Sequence, residues 1–209
     1  MTFRIYGVFF AILGLFSPAV FGDGGTALED MPAGNYQVDP THASLTWQVS
    51  HLGLSNYTAR FTTFDAAIQL NSKQMAKSSV TATIDTSSLE TDYPYPEEKD
   101  FDKKLIEQSD WFNAGKFPKI TFKSTGIETV GDKQMVMKGT LTMLGVSQLV
   151  SLDVTLNGAM LKQPFSKKPT LGFSAKGSLT RSEFGMATYV PNIGDEVTFM
   201  IEAEFAKND

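Results

Sequence analysis

From Tyr36 to Phe205 the dominant pattern in this chain is a period of two. Leu45, Trp47, Val49 and His51 alternate with Ser44, Thr46, Gln48 and Ser50, and Val80, Ala82 and Ile84 alternate with Thr81, Thr83 and Asp85. Ile120 and Phe122 alternate with Thr121 and Lys123. Met135, Met137, Gly139, Leu141 and Met143 share one face, and Val150, Leu152, Val154 and Leu156 alternate with Ser151, Asp153 and Thr155. Leu171, Phe173, Ala175 and Leu179 follow, and Val197, Phe199, Ile201, Ala203 and Phe205 close the series. Such alternation marks strands with one apolar and one wetted face. Together with residues 58–70 it predicts eight strands. Strands of this kind bury their apolar faces as a sandwich or as a closed barrel, and closure also removes the two exposed edges. The interior of an eight-stranded barrel is wide enough to be filled by side chains or to hold one small ligand.

Between the strands, Asn71-Ser72, Val130-Gly131-Asp132, Asn157-Gly158 and Asn192-Ile193-Gly194-Asp195 have the chemistry of turns. One stretch departs from the period. After Pro96, Phe101, Leu105 and Ile106 recur at helical spacing, with acids early and Lys103 and Lys104 later, which predicts a short helix over about 97–108. No linker or repeat interrupts residues 35–207, so they are read as one all-β domain.

Residues 1–22 have the form of a cleaved secretory signal peptide. Arg4 precedes an uncharged run from Ile5 to Phe16, and Ser17-Pro18 ends it. As a helix that run is about 18 Å long, against about 30 Å for the hydrocarbon core of a bilayer. Residues 23–34 carry Gly, Asp and Pro without periodicity and are expected to be a flexible lead-in. A secreted chain with no cysteine among 209 residues fits a bacterial periplasm better than a disulfide-rich extracellular niche. The lack of cysteine also excludes thiolate metal sites and cysteine nucleophiles. A net charge of −5 speaks against nucleic acid as a partner.

The residues that carry catalysis elsewhere are sparse. His42 and His51 are the only histidines; even with Asp39 they make a poor metal set, and hydrogen-bonded side chains on a strand and its lead-in turn are the expected reading. There is no Gly-x-Ser-x-Gly and no His-Glu-x-x-His. The acids Glu97, Glu98, Asp100 and Asp102 lack the central glycine of a calcium loop and read as a solvated helix start. The apolar face says more. Met135, Met137 and Met143 are adaptable side chains suited either to a cavity for a flexible chain or to filling a taper. Gly139 among them marks either a close approach by another group or a bend.

Several segments resemble, in order, the YceI-like, polyisoprenoid-binding family. They are Tyr36-Gln37-Val38-Asp39-Pro40-Thr41-His42-Ala43-Ser44 with Trp47 and His51-Leu52-Gly53; Arg60-Phe61-Thr62-Thr63-Phe64-Asp65; Ser109-Asp110-Trp111-Phe112 with Phe117-Pro118-Lys119-Ile120-Thr121-Phe122; Gly139 to Val146; Arg181-Ser182-Glu183-Phe184-Gly185; and Gly194-Asp195-Glu196-Val197. The resemblance implies a lipocalin-like eight-stranded antiparallel barrel, a periplasmic location, and an interior that binds an extended isoprenoid or a related long-chain amphiphile. Lys104 and Leu144 stand where many members have His, and Leu149 replaces a frequent Pro.

The expected function is that of a periplasmic carrier for a polyprenyl- or quinone-type lipid, with no cofactor and no catalysis. Its head is left in water at the mouth near the helix. The expected tube residues are Leu45, Trp47, Val49, Phe64, Phe122, Met135, Met137, Leu141, Met143, Phe173 and Phe199. Transient contact with a membrane surface and a homodimer complete the partners the chain admits. The alternatives are a small lipid-modifying enzyme on the same barrel using His51, and a filled-core envelope stress or interaction protein.

Overall fold

Ten strands fill eight positions around a closed ring. They are β1 (Gly34–His51), β2 (Ser55–Phe61), β3 (Phe64–Leu70), β4 (Ser79–Asp85), β5 (Leu89–Glu90), β6 (Lys119–Thr129), β7 (Gln134–Met143), β8 (Val146–Met160), β9 (Thr170–Thr180) and β10 (Ile193–Lys207). The structure is a computed structural model that describes residues 25–208, so the signal peptide expected over 1–22 lies outside the described residues. All neighbours are antiparallel, and β10 pairs back onto β1 from Tyr36 opposite Lys207 to His51 opposite Ile193. The first half of β1 pairs with β3 and its second half with β2, so β2 and β3 share one position in the ring. In the same way β4 and β5 share the next, against β3 and β2. The architecture is the eight-stranded antiparallel barrel with one helix that the alternation and the resemblance imply.

The shared positions have a local cause. Against β10, Val38 pairs with Phe205 and the next pair is Ala43 with Ala203, so Asp39–His42 bulge out opposite Glu204. A bulge bends its strand, and here it marks the level at which β1 changes partner. On the partner strand Thr62 and Thr63 fall outside the pairing. In an unbroken strand Phe61 and Phe64 would point to opposite faces. With the break between them, both line the interior.

Glycines on β7 and β9 make room for rings from the next strand. A Cβ on Gly139 would lie 2.3 Å from the Phe122 ring and 2.7 Å from the Lys123 carbonyl oxygen. The group that approaches Gly139 closely is therefore the cross-strand Phe122. Gly177 receives Phe199 in the same way, at 2.5 Å.

Four local expectations are corrected, the first being the turn expected over 192–195, of which only Asn192 turns while Ile193, Gly194 and Asp195 open β10. The helix, α1, runs only from Phe101 to Glu107, because Asp100 rather than the Pro96 turn provides its N-cap, accepting from the Lys103 N–H at 2.9 Å. Asn157-Gly158 is not a turn but lies inside β8 at a register irregularity against β9, where the Asn157 amide donates to Ser174 Oγ at 2.9 Å. The hairpin that does turn nearby in sequence order, β7 to β8, uses Leu144 and Gly145 with φ of 54° and 77°, a geometry for which Leu gives no signal. Finally, the lead-in is packed from Gly25 onward. Gly25 bridges to Ala159, Met31 is 2% exposed among Tyr36, Leu171 and Phe205, and the Tyr36 hydroxyl donates to the Pro32 carbonyl at 2.7 Å. A single buried Met anchors this segment, so it leaves no periodic trace.

Gly139→Ala should destabilise the barrel by about 1–3 kcal/mol, because both a ring and a main-chain carbonyl must move. A urea titration measures this, and an unchanged midpoint would show that Phe122 does not occupy that space.

Candidate functional site

The barrel encloses a cavity of about 240 Å³ that runs along its axis. At one end it is bounded by Leu70, Met75 and Ser78, and at the other by Leu105, Trp111, Phe112 and Met186. All eleven of the apolar residues singled out by alternation and parity line it: Leu45, Trp47 and Val49 from β1, Phe64 from β3, Phe122 from β6, Met135, Met137, Leu141 and Met143 from β7, Phe173 from β9 and Phe199 from β10. They meet because each strand turns the same parity inward.

Other wall residues come from segments without strand periodicity. Trp111 and Phe112 follow α1, and Arg181 and Met186 belong to the connection between β9 and β10. The only trace of Trp111, Phe112 and Arg181 in the sequence was membership of the motifs 109–112 and 181–185, and Met186 had none. Phe112 packs edge-on against Phe61 with centroids 5.4 Å apart, and the Trp47 ring lies 6.4 Å from that of Phe112.

Arg181 is 3% exposed. Its Nε donates to the Gly194 carbonyl at 2.8 Å, and Nη1 donates to that of Met186 at 2.9 Å. Nη2 donates to the carbonyls of Thr188 and Ile193, each at 2.9 Å. These four bonds tie the 181–194 connection into one piece and so place Met186 on the cavity wall. Burial pulls the guanidinium below its usual range, partly countered by Asp195. Asp195 is itself engaged by Ser182, whose hydroxyl donates to it at 2.6 Å and whose N–H donates at 2.9 Å, and these bonds lower its carboxyl. The Arg181 Cζ lies 6.0 Å from the Trp111 ring. Among the described residues, Arg181 and Ser78 are the only charged or hydroxyl-bearing ones on the wall.

Two indole nitrogens on this wall, Trp47 Nε1 and Trp111 Nε1, are buried without a hydrogen-bond partner. The remaining such atom among the described residues, Thr86 Oγ1, belongs to a residue off the wall.

The histidines are elsewhere. His51 shares sequence parity with Trp47, yet the pairing of β1 with β10 becomes irregular between Val49 and His51, and His51 is exposed at the rim. It does not line the cavity. His42 lies in the β1 bulge, where its Nδ1 is 2.9 Å from Asp39 Oδ2. Asp39 also accepts from the Thr41 N–H at 2.9 Å and hydroxyl at 2.6 Å, and these bonds hold its carboxyl at about 2. Its carboxylate in turn raises the His42 imidazole, aided by Glu204. The ligand atoms of Asp39, His42 and Glu204 lie within 4.8 Å of one another on the outer surface. The arrangement fastens the bulge, as hydrogen-bonded surface side chains would. Of the acids near α1, Asp100 caps the helix and Asp102 accepts from the Thr91 N–H at 3.0 Å and from its hydroxyl.

The barrel agrees with the comparisons to known proteins. The YceI-like domain matches residues 36–205. The chain belongs to the YceI-like family. Protein YceI of Escherichia coli O157:H7 is 30% identical over 196 residues, which cover 93% of this chain and 96% of that protein. Burkholderia cenocepacia BcnA, whose crystal structure is 23% identical in sequence, superposes with a TM-score of 0.67 over 80% of this chain and 98% of its own, a likeness of fold. A polyisoprenoid-binding domain from Saccharophagus degradans, implicated in plant cell wall breakdown, has a TM-score of 0.59 at 13% identity, covering 85% and 100% of the two chains, again a likeness of fold.

The Asp39–His42 pair sets a pH signature. The raised His42 contributes stability that is complete below the usual imidazole pKa and is lost as pH rises through its own higher value. The lowered Asp39 contributes stability that is present above the usual carboxylate range and is lost as pH falls through about 2. An NMR titration should show His42 above the usual imidazole value, and Asp39→Asn should bring it down. If the two proteins titrate alike, the pairing is absent in solution.

Proposed function

We propose that this YceI-family protein carries an isoprenoid-tailed or similar amphiphilic lipid, of polyprenyl or quinone type, inside its barrel in the periplasm. The observation that carries this is the axial cavity, whose wall is apolar save for Ser78 and Arg181. A chain laid along such a wall leaves water completely. Burying ten methylene equivalents contributes about 8 kcal/mol before the costs of association are taken off. The Saccharophagus degradans domain, described as polyisoprenoid-binding, has this fold and lends the reading further support.

The cavity is smaller than the roughly 300–1,000 Å³ of ordinary small-molecule sites, so a long tail requires the wall to give way. Met75, Met135, Met137, Met143 and Met186 on the wall provide that freedom, since an unbranched thioether changes rotamer at little cost. Catalysis is not favoured, because a proton-transfer mechanism needs a titratable acid or base at the site and Arg181 is the only ionisable wall residue among the described residues. A periplasmic location follows from reading residues 1–22 as a cleaved signal, and transient contact with a membrane surface is the step at which such a cargo would be collected.

Mature protein purified from an envelope fraction and examined by native mass spectrometry should carry a single co-purifying isoprenoid lipid, or take up added long-chain quinones and polyprenols. A protein that stays empty in both tests is not a carrier of this class. Met137→Glu and Leu141→Glu place an unpaired charge on the wall and should lower uptake by more than about tenfold in variants that keep their far-UV spectra. Unchanged uptake would remove β7 from the binding surface.

A further inference from the structure

We propose that the barrel end opposite the helix docks on an anionic lipid bilayer, with Phe165 at the tip of the β8–β9 loop entering the interface and the lysines around it meeting the lipid phosphates. This names the face that makes the membrane contact of the carrier reading above, and it rests on that reading for its purpose but not for the docking itself.

The β8–β9 loop, residues 161–169, holds Lys162, Lys167 and Lys168 and no acid, in a chain whose net charge is −5. Lys162 and Lys167 are exposed, and with them Phe165 is 90% and Leu161 51% exposed. Single apolar side chains on a surface mean little, but an exposed ring between cations in one loop has the composition of an interfacial anchor. The loop is also held in shape. Gln163 Oε1 accepts from the N–H groups of Phe165 at 2.6 Å and Ser166 at 2.7 Å, and the Gln163 N–H donates to the Lys168 carbonyl at 3.0 Å. The tip is thus organised before it meets a bilayer, and little ordering remains to be done on docking.

The neighbouring connection extends the charge. Gly34 pairs with Leu70 and Tyr36 with Lys207, while Ala206 pairs with Thr170, so the β3–β4 connection and the β8–β9 loop lie at the same end of the barrel. Residues 71–78 hold exposed Lys73 and Lys77 and no acid, and between them Met75 bounds the cavity. Among the described residues, the acids of the segments flanking this face are Glu29, Asp30 and Asp132, of which Asp30 lies 3.7 Å from Lys73. The helix end has the other sign. Residues 91–107 hold six acids against three lysines, so that end repels an anionic surface although Leu54 is 84% exposed there. Charge, rather than exposed apolar area alone, tells the two ends apart, since a bilayer of anionic lipids attracts basic segments that come within a Debye length of it.

The test is co-sedimentation of the mature protein with vesicles of phosphatidylcholine alone or mixed with phosphatidylglycerol. The wild type should sediment with the mixed vesicles, hardly at all with phosphatidylcholine, and should come off as salt rises. Phe165→Ala should weaken binding to the mixed vesicles about tenfold, and Lys162→Gln combined with Lys167→Gln should do the same, whereas Leu54→Ala should change nothing. Equal binding to both vesicles, or a loss with Leu54→Ala but not with Phe165→Ala, overturns the face. So does binding to neither, the result expected if the loop meets an acidic protein instead. The lipid and salt dependence of the wild type stands even if a variant fails to fold. Uptake of a long-chain quinone is read separately, from detergent and from the mixed vesicles. Docking without uptake from either source removes the carrier and leaves the face; uptake from detergent without vesicle binding removes the face and leaves the carrier.

Discussion

The pairing of β10 with β1 is the interaction on which the rest of the structure depends. It satisfies the main-chain groups of the first and last strands, which would otherwise form two open edges. With the backbone hydrogen bonds made within the wall, the interior does not have to supply polar partners. It is lined instead by Leu, Val, Ile, Met and Phe side chains. An open sheet of the same sequence would have to cover its apolar face with a second layer and would have no reason to leave a space behind it.

The wall itself is shaped by irregularities in the sheet. The Asp39–His42 bulge bends β1, and the break after Phe61 sets a second aromatic ring inward where simple alternation would have turned it out. Glycine at 139 and 177 lets Phe122 and Phe199 lie against the neighbouring strand rather than stand across the lumen. Aromatic area is thus kept on the wall while the axis stays open. At the helix end, Arg181 holds a connection without regular strand pairing in a fixed shape by bonding its carbonyls.

The division between what could and could not be read from the sequence follows from these features. The eight ring positions and the inward parity of residues such as Leu45, Met137 and Phe199 were legible, because a one-sided wall imprints a period of two on every strand. The rim was not. His51 has the parity of Trp47, but parity loses its meaning where the register with β10 becomes irregular. Trp111, Phe112 and Met186 reach the cavity from aperiodic segments whose placement depends on tertiary hydrogen bonds. Asn157-Gly158 has the composition of a turn and serves as a strand irregularity, because the same backbone freedom suits both. Met31 shows the opposite limit: one buried side chain orders a segment whose composition reads as loose.

Ring closure also constrains how the molecule comes into being. Tyr36 and Lys207 face each other although nearly the whole domain lies between them in the chain. Contacts this distant in sequence carry a large loop-closure entropy and form late in folding. Until β10 docks, β1 and β9 present open edges and the lumen is a groove, so the chamber is completed only by β10. A chain in which β10 has not docked has a wall open along two strand edges and no enclosed chamber.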